Sequence, residues 1–275
     1  MADALYLSDS YLKACDAAVL GVQDGRLVSL SPQIFSPRGG GLPSDMGKLV
    51  RKSDGALFSV LSVVKNLGLK TEASETEGEA ARLGAPLLPE GKQLPHRGSS
   101  VKKDGLALHE LDKEGLSVGD EVECSLDWGR RHRLMRMHTA GHILSAIMYK
   151  SGGILITGNS IDTDKSRFDF SMENFDREAF QRLIDQANSE IARNLDVTIS
   201  YLAREEALKL PGMVKLAGTL PPEVRELRIV KIGDVDEQAD GGVHVANTRE
   251  IGKIVFLGAE NKGKTNRRVY FSLEP

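Results

Sequence analysis

The sequence predicts an α+β protein, with a small antiparallel β-barrel followed by an α+β sandwich. Three observations carry that expectation. Short strand patterns bounded by turn residues crowd the chain up to about residue 128. Two long stretches with helix-forming character come only after that point. Strand patterns then resume, interleaved with the helices.

In the first part, 17–22 and 26–30 are apolar runs joined by Gln23-Asp24-Gly25, a hairpin signal. Residues 49–51 and 57–64 flank Asp54-Gly55, and 106–111 and 121–126 complete the set. Short strands at such spacing suggest a small closed barrel. Residues 66–104 interrupt the pattern with an acidic run, scattered Pro and Gly, and few large apolar side chains. Such a segment cannot bury enough surface to offset its ordering entropy, so it reads as a flexible insertion with room for a short helix over 77–83.

The second part begins near Gly129. Residues 134–150 are mostly apolar, helix-forming and free of proline. Asp176 is an N-cap candidate for a helix reaching Asn194, whose core face is marked by Ala179, Phe180, Leu183, Ile184, Ala187 and Ile191. Strands are expected at 167–170, 197–202, 227–232, 252–257 and 268–273, and a short helix over 203–210 ended by Pro211-Gly212. The expected division is 1–128 and 129–275, the second part an α+β sandwich with helices on one face of an antiparallel sheet.

Composition narrows the function. A chain of 275 residues with 40% hydrophobic content supports ordinary globular cores. No apolar run is long enough to span a membrane, and the N-terminus lacks a signal-peptide pattern. Only Cys15 and Cys124 are present, which gives no disulfide framework and fits a cytoplasmic protein. A net charge of −3 argues against indiscriminate coating of nucleic acid while allowing local basic patches. No Ser-His-Asp or Cys-His arrangement and no ATP-binding core of a synthetase present themselves, and no obligatory protein partner is indicated.

The chemistry gathers around His138-Thr139-Ala140-Gly141-His142. Histidines at i and i+4 share one helix face and can bind one ion, or can simply be satisfied by local hydrogen bonds. The glutamate of the protease motif H-E-x-x-H is replaced by Thr139. Downstream, Asp240-Gly241-Gly242-Val243-His244 offers a carboxylate and a third imidazole on a glycine-bent turn. His138, His142, Asp240 and His244 together suit one tetrahedral zinc per chain.

Two basic clusters stand out. Arg130, Arg131, Arg133 and Arg136 precede or open the histidine helix, where cations are disfavoured unless an anion meets them. Lys262, Lys264, Arg267 and Arg268 lie in the hairpin before the last strand. Each is either plain surface charge or a phosphate contact.

With these residues in view, the sequence resembles the editing domain of alanyl-tRNA synthetases, and in particular the freestanding AlaX-type editing proteins. The resemblance rests on 138–142, Ile156-Thr157-Gly158-Asn159-Ser160, Arg167-Phe168-Asp169-Phe170, 240–244 and Thr248-Arg249-Glu250-Ile251-Gly252. It also rests on 35–47, which is similar to F-x-P-x-G-G-G-Q-P-x-D-x-G. The insertion is not covered. Three positions depart from the pattern: Asp240 stands for cysteine, Val243 for a frequent threonine, and Leu42 for glutamine. The resemblance implies the threonyl/alanyl-tRNA synthetase second-additional-domain type of fold. It implies deacylation of mischarged tRNA(Ala), chiefly Ser-tRNA(Ala) with Gly-tRNA(Ala) second, at the zinc site. It further implies acceptor-stem contacts by the two basic clusters and a pocket lined by Thr139, Thr157, Asn159, Gly40 and Gly41. The alternatives are a tRNA-binding module with a degenerate metal site and a threonyl-type editing domain.

Overall fold

The computed structural model describes residues 4–66, 105–210, 213 and 225–275. The acidic insertion from 67 to 104, its expected short helix, and Pro211-Gly212 lie outside the described residues.

Six antiparallel strands close into a barrel: β1 (Ala14–Gln23), β2 (Leu27–Ser31), β3 (Gly47–Arg51), β4 (Leu57–Asn66), β5 (Gly105–Leu111) and β6 (Glu121–Leu126). Their order around the barrel is β1-β2-β5-β4-β3-β6. Alternation aims Val19, Val28, Leu30, Leu49, Phe58, Val60, Val63, Leu111 and Val122 inward, where they form one apolar core. Cys15 faces Cys124 across the β1–β6 pair, and both thiols are free. Ahead of β1, four residues form a short helix, α1 (Leu5–Ser8).

The chain leaves β6 for α2 (Trp128–Gly152). Asp127 caps it by accepting from the Arg130 N–H at 3.0 Å, and Gly153, in the left-handed region, ends it. Every residue from Met137 to Met148 is buried. A helix covered on all sides needs no polar face, which is why its sequence lacks an amphipathic stripe. After it come β7 (Ile156–Ser160), β8 (Ser166–Phe170), α3 (Arg177–Ile191), β9 (Val197–Ala203), α4 (Arg204–Ala207), β10 (Glu226–Ile232), β11 (Asp236–Ala239), a 3-10 turn (Thr248–Glu250), β12 (Lys253–Asn261) and β13 (Arg267–Glu274).

The sheet expected here divides in two, one ordered β11-β10-β9 and the other β12-β13-β8-β7, both antiparallel. β11 was not among the expected strands, because Asp-Glu-Gln-Ala has no apolar run. α3 has the expected Asp176 cap and stops at Ile191, short of Asn194. Its buried face, with α2 and the inner residues of β8, β12 and β13, forms a second apolar core. Among the described residues, no helix is long and apolar enough to cross a membrane.

Candidate metal centre

One turn of α2 carries His138 and His142, and the loop after β11 carries Asp240 and His244. The fold brings these four side chains together, with one ligand atom from each within 4.8 Å of all the others. Asp240 Oδ2 lies 3.6 Å from His138 Nε2 and 3.8 Å from His142 Nε2, and Asp240 Oδ1 lies 3.1 Å from His244 Nε2. Zinc bonds of about 2.0–2.2 Å at tetrahedral angles separate ligand atoms by roughly 3.3–3.6 Å. The Asp240–imidazole separations are close to that value, and the 4.8 Å bound on the whole set means that the side chains would draw in to hold one small cation.

The loop's geometry follows from its glycines. Asp240 Oδ1 accepts from Gly242 N–H at 2.6 Å, folding the loop back on itself. A Cβ on Gly242 would lie 2.5 Å from the His138 ring, so the loop can approach the helix only with glycine there.

Each imidazole is oriented from behind. His138 Nδ1–H donates to the Val243 carbonyl at 3.2 Å, and His142 Nδ1–H donates to Asp236 Oδ2 at 3.0 Å. Thr139 Oγ1 donates to the Met135 carbonyl at 2.9 Å. Its lone pairs remain for Val245 N–H at 3.3 Å and for His244 Nδ1–H at 3.1 Å. All three Nδ1 atoms are thus engaged, which leaves the three Nε2 atoms converging on one carboxylate, the arrangement that outer partners impose on metal-ligating histidines.

Burial and charge divide the four. Burial pushes His138 down to about 4, with Asp240 opposing, and pushes His244 well below the usual histidine value. Burial pushes His142 down as well, but its bonds to Asp236 and Asp240 outweigh it and lift it to about 9. Asp240 is itself penalised by burial, yet the three imidazoles hold it ionised, well below the usual carboxylate range. Its side chain keeps 22% of its exposure, against 8%, 9% and 1% for His138, His142 and His244, so the cluster opens to solvent on the Asp240 side.

The expected pocket residues fare unevenly. Thr139 is fully buried behind His244, so it orients a ligand and does not line a pocket, a correction to its expected role. Gly41 meets Asn159 so closely that a Cβ on the glycine would lie 1.7 Å from Asn159 Oδ1, and Gly41 O accepts from Ile161 N–H at 2.8 Å. The glycine-rich loop is thereby fastened to the end of β7, while Gly40 faces open space. Leu42, where the family pattern has glutamine, is buried in the helix-side core. Thr157 is exposed and donates to Asn266 Oδ1 at 2.9 Å.

The basic clusters also separate. All four arginines of the first cluster lie inside α2, not before it. Arg131 is fully buried, which corrects its assignment to phosphate contact. Its guanidinium pairs with Asp45 and donates to the carbonyls of Ser10 at 2.9 Å and Ile34 at 2.6 Å. It ties the loop before β3 to the helix that carries the histidines. Arg136 donates to Ile251 O at 2.7 Å, Arg130 reaches Ser44 O at 3.4 Å, and Arg133 is the most exposed of the four. In the hairpin, Lys262 and Lys264 are exposed. Arg268 is bidentate to Asp169 at 2.7 and 2.8 Å, and Arg267 donates to Gly263 O at 2.7 Å and to Glu173 O.

Comparison with known proteins gives the family. The model of the threonyl and alanyl tRNA synthetase second additional domain matches residues 227–270, which span β10, β11, the Asp240–His244 loop and β12. The alanyl-tRNA editing protein AlaX-M of Saccharolobus solfataricus is 39% identical over 276 residues, covering 100% of both chains. This chain belongs to the AlaX family of alanyl-tRNA editing proteins. The AlaX-M of Methanosarcina barkeri is 40% identical over 278 residues and 99% of both chains. The alanine–tRNA ligase of Methanothrix thermoacetophila is 32% identical over 260 residues, which is 94% of this chain but 24% of the ligase. The similarity therefore runs the length of these AlaX-M proteins and takes up a quarter of a longer ligase.

Two contributors to the site carry no signal in the sequence. Asp236 and Gln238 stand behind His142, Gln238 Nε2 donating to Asp236 Oδ2 at 2.9 Å. They alternate inward on a four-residue polar strand, and no spacing motif marks such a pair.

Proposed function

We propose that this chain hydrolyses the ester linking a wrong amino acid to tRNA(Ala), with serine the principal target and glycine the second, at a zinc site made by His138, His142, Asp240 and His244. The convergence of those four ligand atoms in a chain of the AlaX family is the observation that carries the reading. When bound, zinc supplies positive charge to polarise the ester carbonyl or to hold the amino group of the substrate.

The chain's own residues do the rest. Asp236, Val243 O and Thr139 fix the imidazoles, so the donor set is organised before anything binds. Burial of three histidines strips bulk water from one side of the site and leaves the Asp240 side as the approach. On this reading the labour divides at 128/129. The barrel side presents Gly41 against Asn159, with Gly40 beside it facing open space, and the remainder holds the ion. Asn159 and Thr157 are the polar side chains offered for the serine hydroxyl. A pocket that hydrogen-bonds that hydroxyl rejects alanine, which would leave the pocket's polar groups unpaired.

The test is deacylation of Ser-, Gly- and Ala-tRNA(Ala) by protein with measured zinc content. Hydrolysis of Ser-tRNA(Ala) with sparing of Ala-tRNA(Ala), at about one zinc per chain, is expected. Equal rates on both esters would remove the editing role. Binding of tRNA without turnover of any ester would favour a binding module, the outcome that Asp240 in place of a thiolate makes worth checking.

A further inference from the structure

We infer that Arg228, on β10, is the positioning residue for the metal ligand Asp240, an inference that rests on the metal site proposed above. Asp240 lies just past β11, whose ladder with β10 ends at the Ile229–Ala239 pair. Arg228 takes over from the ladder twice. Its carbonyl accepts from the Asp240 N–H at 3.1 Å, and its Nη1 donates to the Asp240 carbonyl at 2.7 Å. Both main-chain polar groups of the ligand are therefore held by one residue.

The carboxylate is then fixed from the other side, because Oδ1 accepts from Gly242 N–H at 2.6 Å. What remains is Oδ2, the oxygen that lies 3.6 and 3.8 Å from the two helix histidines. A further bond of the guanidinium runs to α1, Nε donating to the Leu7 carbonyl at 2.9 Å. The Asp240 main chain is in this way anchored to β10 and, through Arg228, to the N-terminal helix.

A plain structural cation would not be built like this. Arg228 is buried, at 8% exposure, its Nη2 has no hydrogen-bond partner, and burial opposes its charge while the Asp240 carboxylate supports it. Burying a cation whose guanidinium is not fully satisfied is costly, and a hydrophobic residue would fill the space at lower cost. Two carbonyls to be held apart at a fixed spacing require the planar fork that arginine has and lysine lacks.

The experiment measures zinc dissociation constants for the full chain by competition with a chromophoric chelator, comparing the parent with Arg228→Gln and Arg228→Lys. Loss of an outer partner of a metal ligand weakens affinity by about 10–100-fold, and that is expected for Arg228→Gln. Arg228→Lys, which can hold one carbonyl, should fall between Arg228→Gln and the parent. The visible absorption of the cobalt-loaded protein should change in both variants, as the field around the ion is altered. Val60→Ala, in the barrel core, serves as a control that lowers stability without touching the loop, and its zinc affinity should match the parent's. If Arg228→Gln does not fold, Arg228→Lys carries the test.

Unchanged affinity and unchanged cobalt spectrum in both variants would overturn the inference. So would tighter zinc in Arg228→Gln, which would show that the cation opposes the metal more than its hydrogen bonds help. An equal loss in Val60→Ala would reduce the effect to general stability. A parent that binds no zinc would instead remove the metal site itself.

Discussion

Among the described residues four histidines are buried, and they lie in two very different places. His109 sits inside the barrel with its ring edge toward Phe35, at 5.3 Å between centroids. Its Nδ1 meets the Val28 carbonyl at 3.1 Å, and its Nε2 is buried with no hydrogen-bond partner. His138, His142 and His244 are just as enclosed, and each also spends Nδ1 on an oxygen, yet their Nε2 atoms converge on Asp240. Burial and a satisfied Nδ1 do not distinguish a core histidine from a candidate ligand. What Nε2 faces does.

The sharpest way to break that comparison is to remove one histidine from each place. His142→Ala should empty the metal site and cut deacylation on the order of a thousand-fold, the value of several kcal/mol of charge stabilisation. His109→Phe keeps a ring of similar shape and should leave zinc content and rate unchanged. Zinc analysis and single-turnover deacylation check both. Loss of zinc in His109→Phe would make the barrel part of the site.

The next effect concerns the join between the two regions. Arg131 and Asp45 form a fully buried ion pair, with 0% and 2% of their side chains exposed. Removing one member leaves the other charged and unpaired, at a cost of about 3–5 kcal/mol. Arg131→Met should lower the melting temperature by that much stability, and Arg131→Met with Asp45→Leu should recover part of it. If Arg131→Met melts like the parent, the barrel and the histidine helix are held together elsewhere.

This pair also shows what the sequence could and could not disclose. The six barrel strands were legible because turn residues and apolar alternation bound each one. The candidate metal cluster was legible because i, i+4 spacing and a glycine-bent Asp-x-x-x-His are local patterns, and the fold brings those four side chains together. Arg131 was not, since the four arginines between 130 and 136 look alike until tertiary packing buries one and exposes Arg133. The same holds for the division into two sheets and for Asp236 behind His142. A four-residue polar strand has no period to detect, and its pairing with β10 is fixed by the fold.

A third prediction uses pH. Burial pushes His109 down to about 4, with its bond to the Val28 carbonyl opposing it. The unfolded chain, with an ordinary histidine value near 6.5, then takes up the proton first as pH falls. The stability this neutral histidine allows is complete above about pH 6.5 and lost progressively down to pH 4, by about 3 kcal/mol in all. Denaturant unfolding of His109→Phe against the parent isolates this part, because the site histidines are common to both. The variant should lose less stability between pH 7 and 4. Parallel curves would mean that His109 is protonated or hydrated in the folded protein.

The smallest effect is expected at the surface and concerns which cations meet RNA. Arg267 and Arg268 are engaged with Gly263 O and Asp169, so reversing their charge would disturb the hairpin as well as any phosphate contact. Lys262 and Lys264 are exposed on the same hairpin and offer the cleaner trial. Neutralising both, as Lys262→Gln with Lys264→Gln, should weaken tRNA binding and lower the slope of its salt dependence by about one unit for each phosphate no longer neutralised. The ratio of serine to alanine removal should not move, because phosphate contacts position the substrate and do not choose the amino acid. With a net charge of −3, the chain has no general attraction to offset the change, so an effect confined to these lysines would be visible. An unchanged slope would assign the hairpin to solvent and send the search to Arg130 and Arg133, the α2 cations without deep structural bonds. A changed amino-acid ratio would be more instructive still, since Asn266 in the same hairpin bonds Thr157 at 2.9 Å and could carry a disturbance from the RNA contact into the pocket.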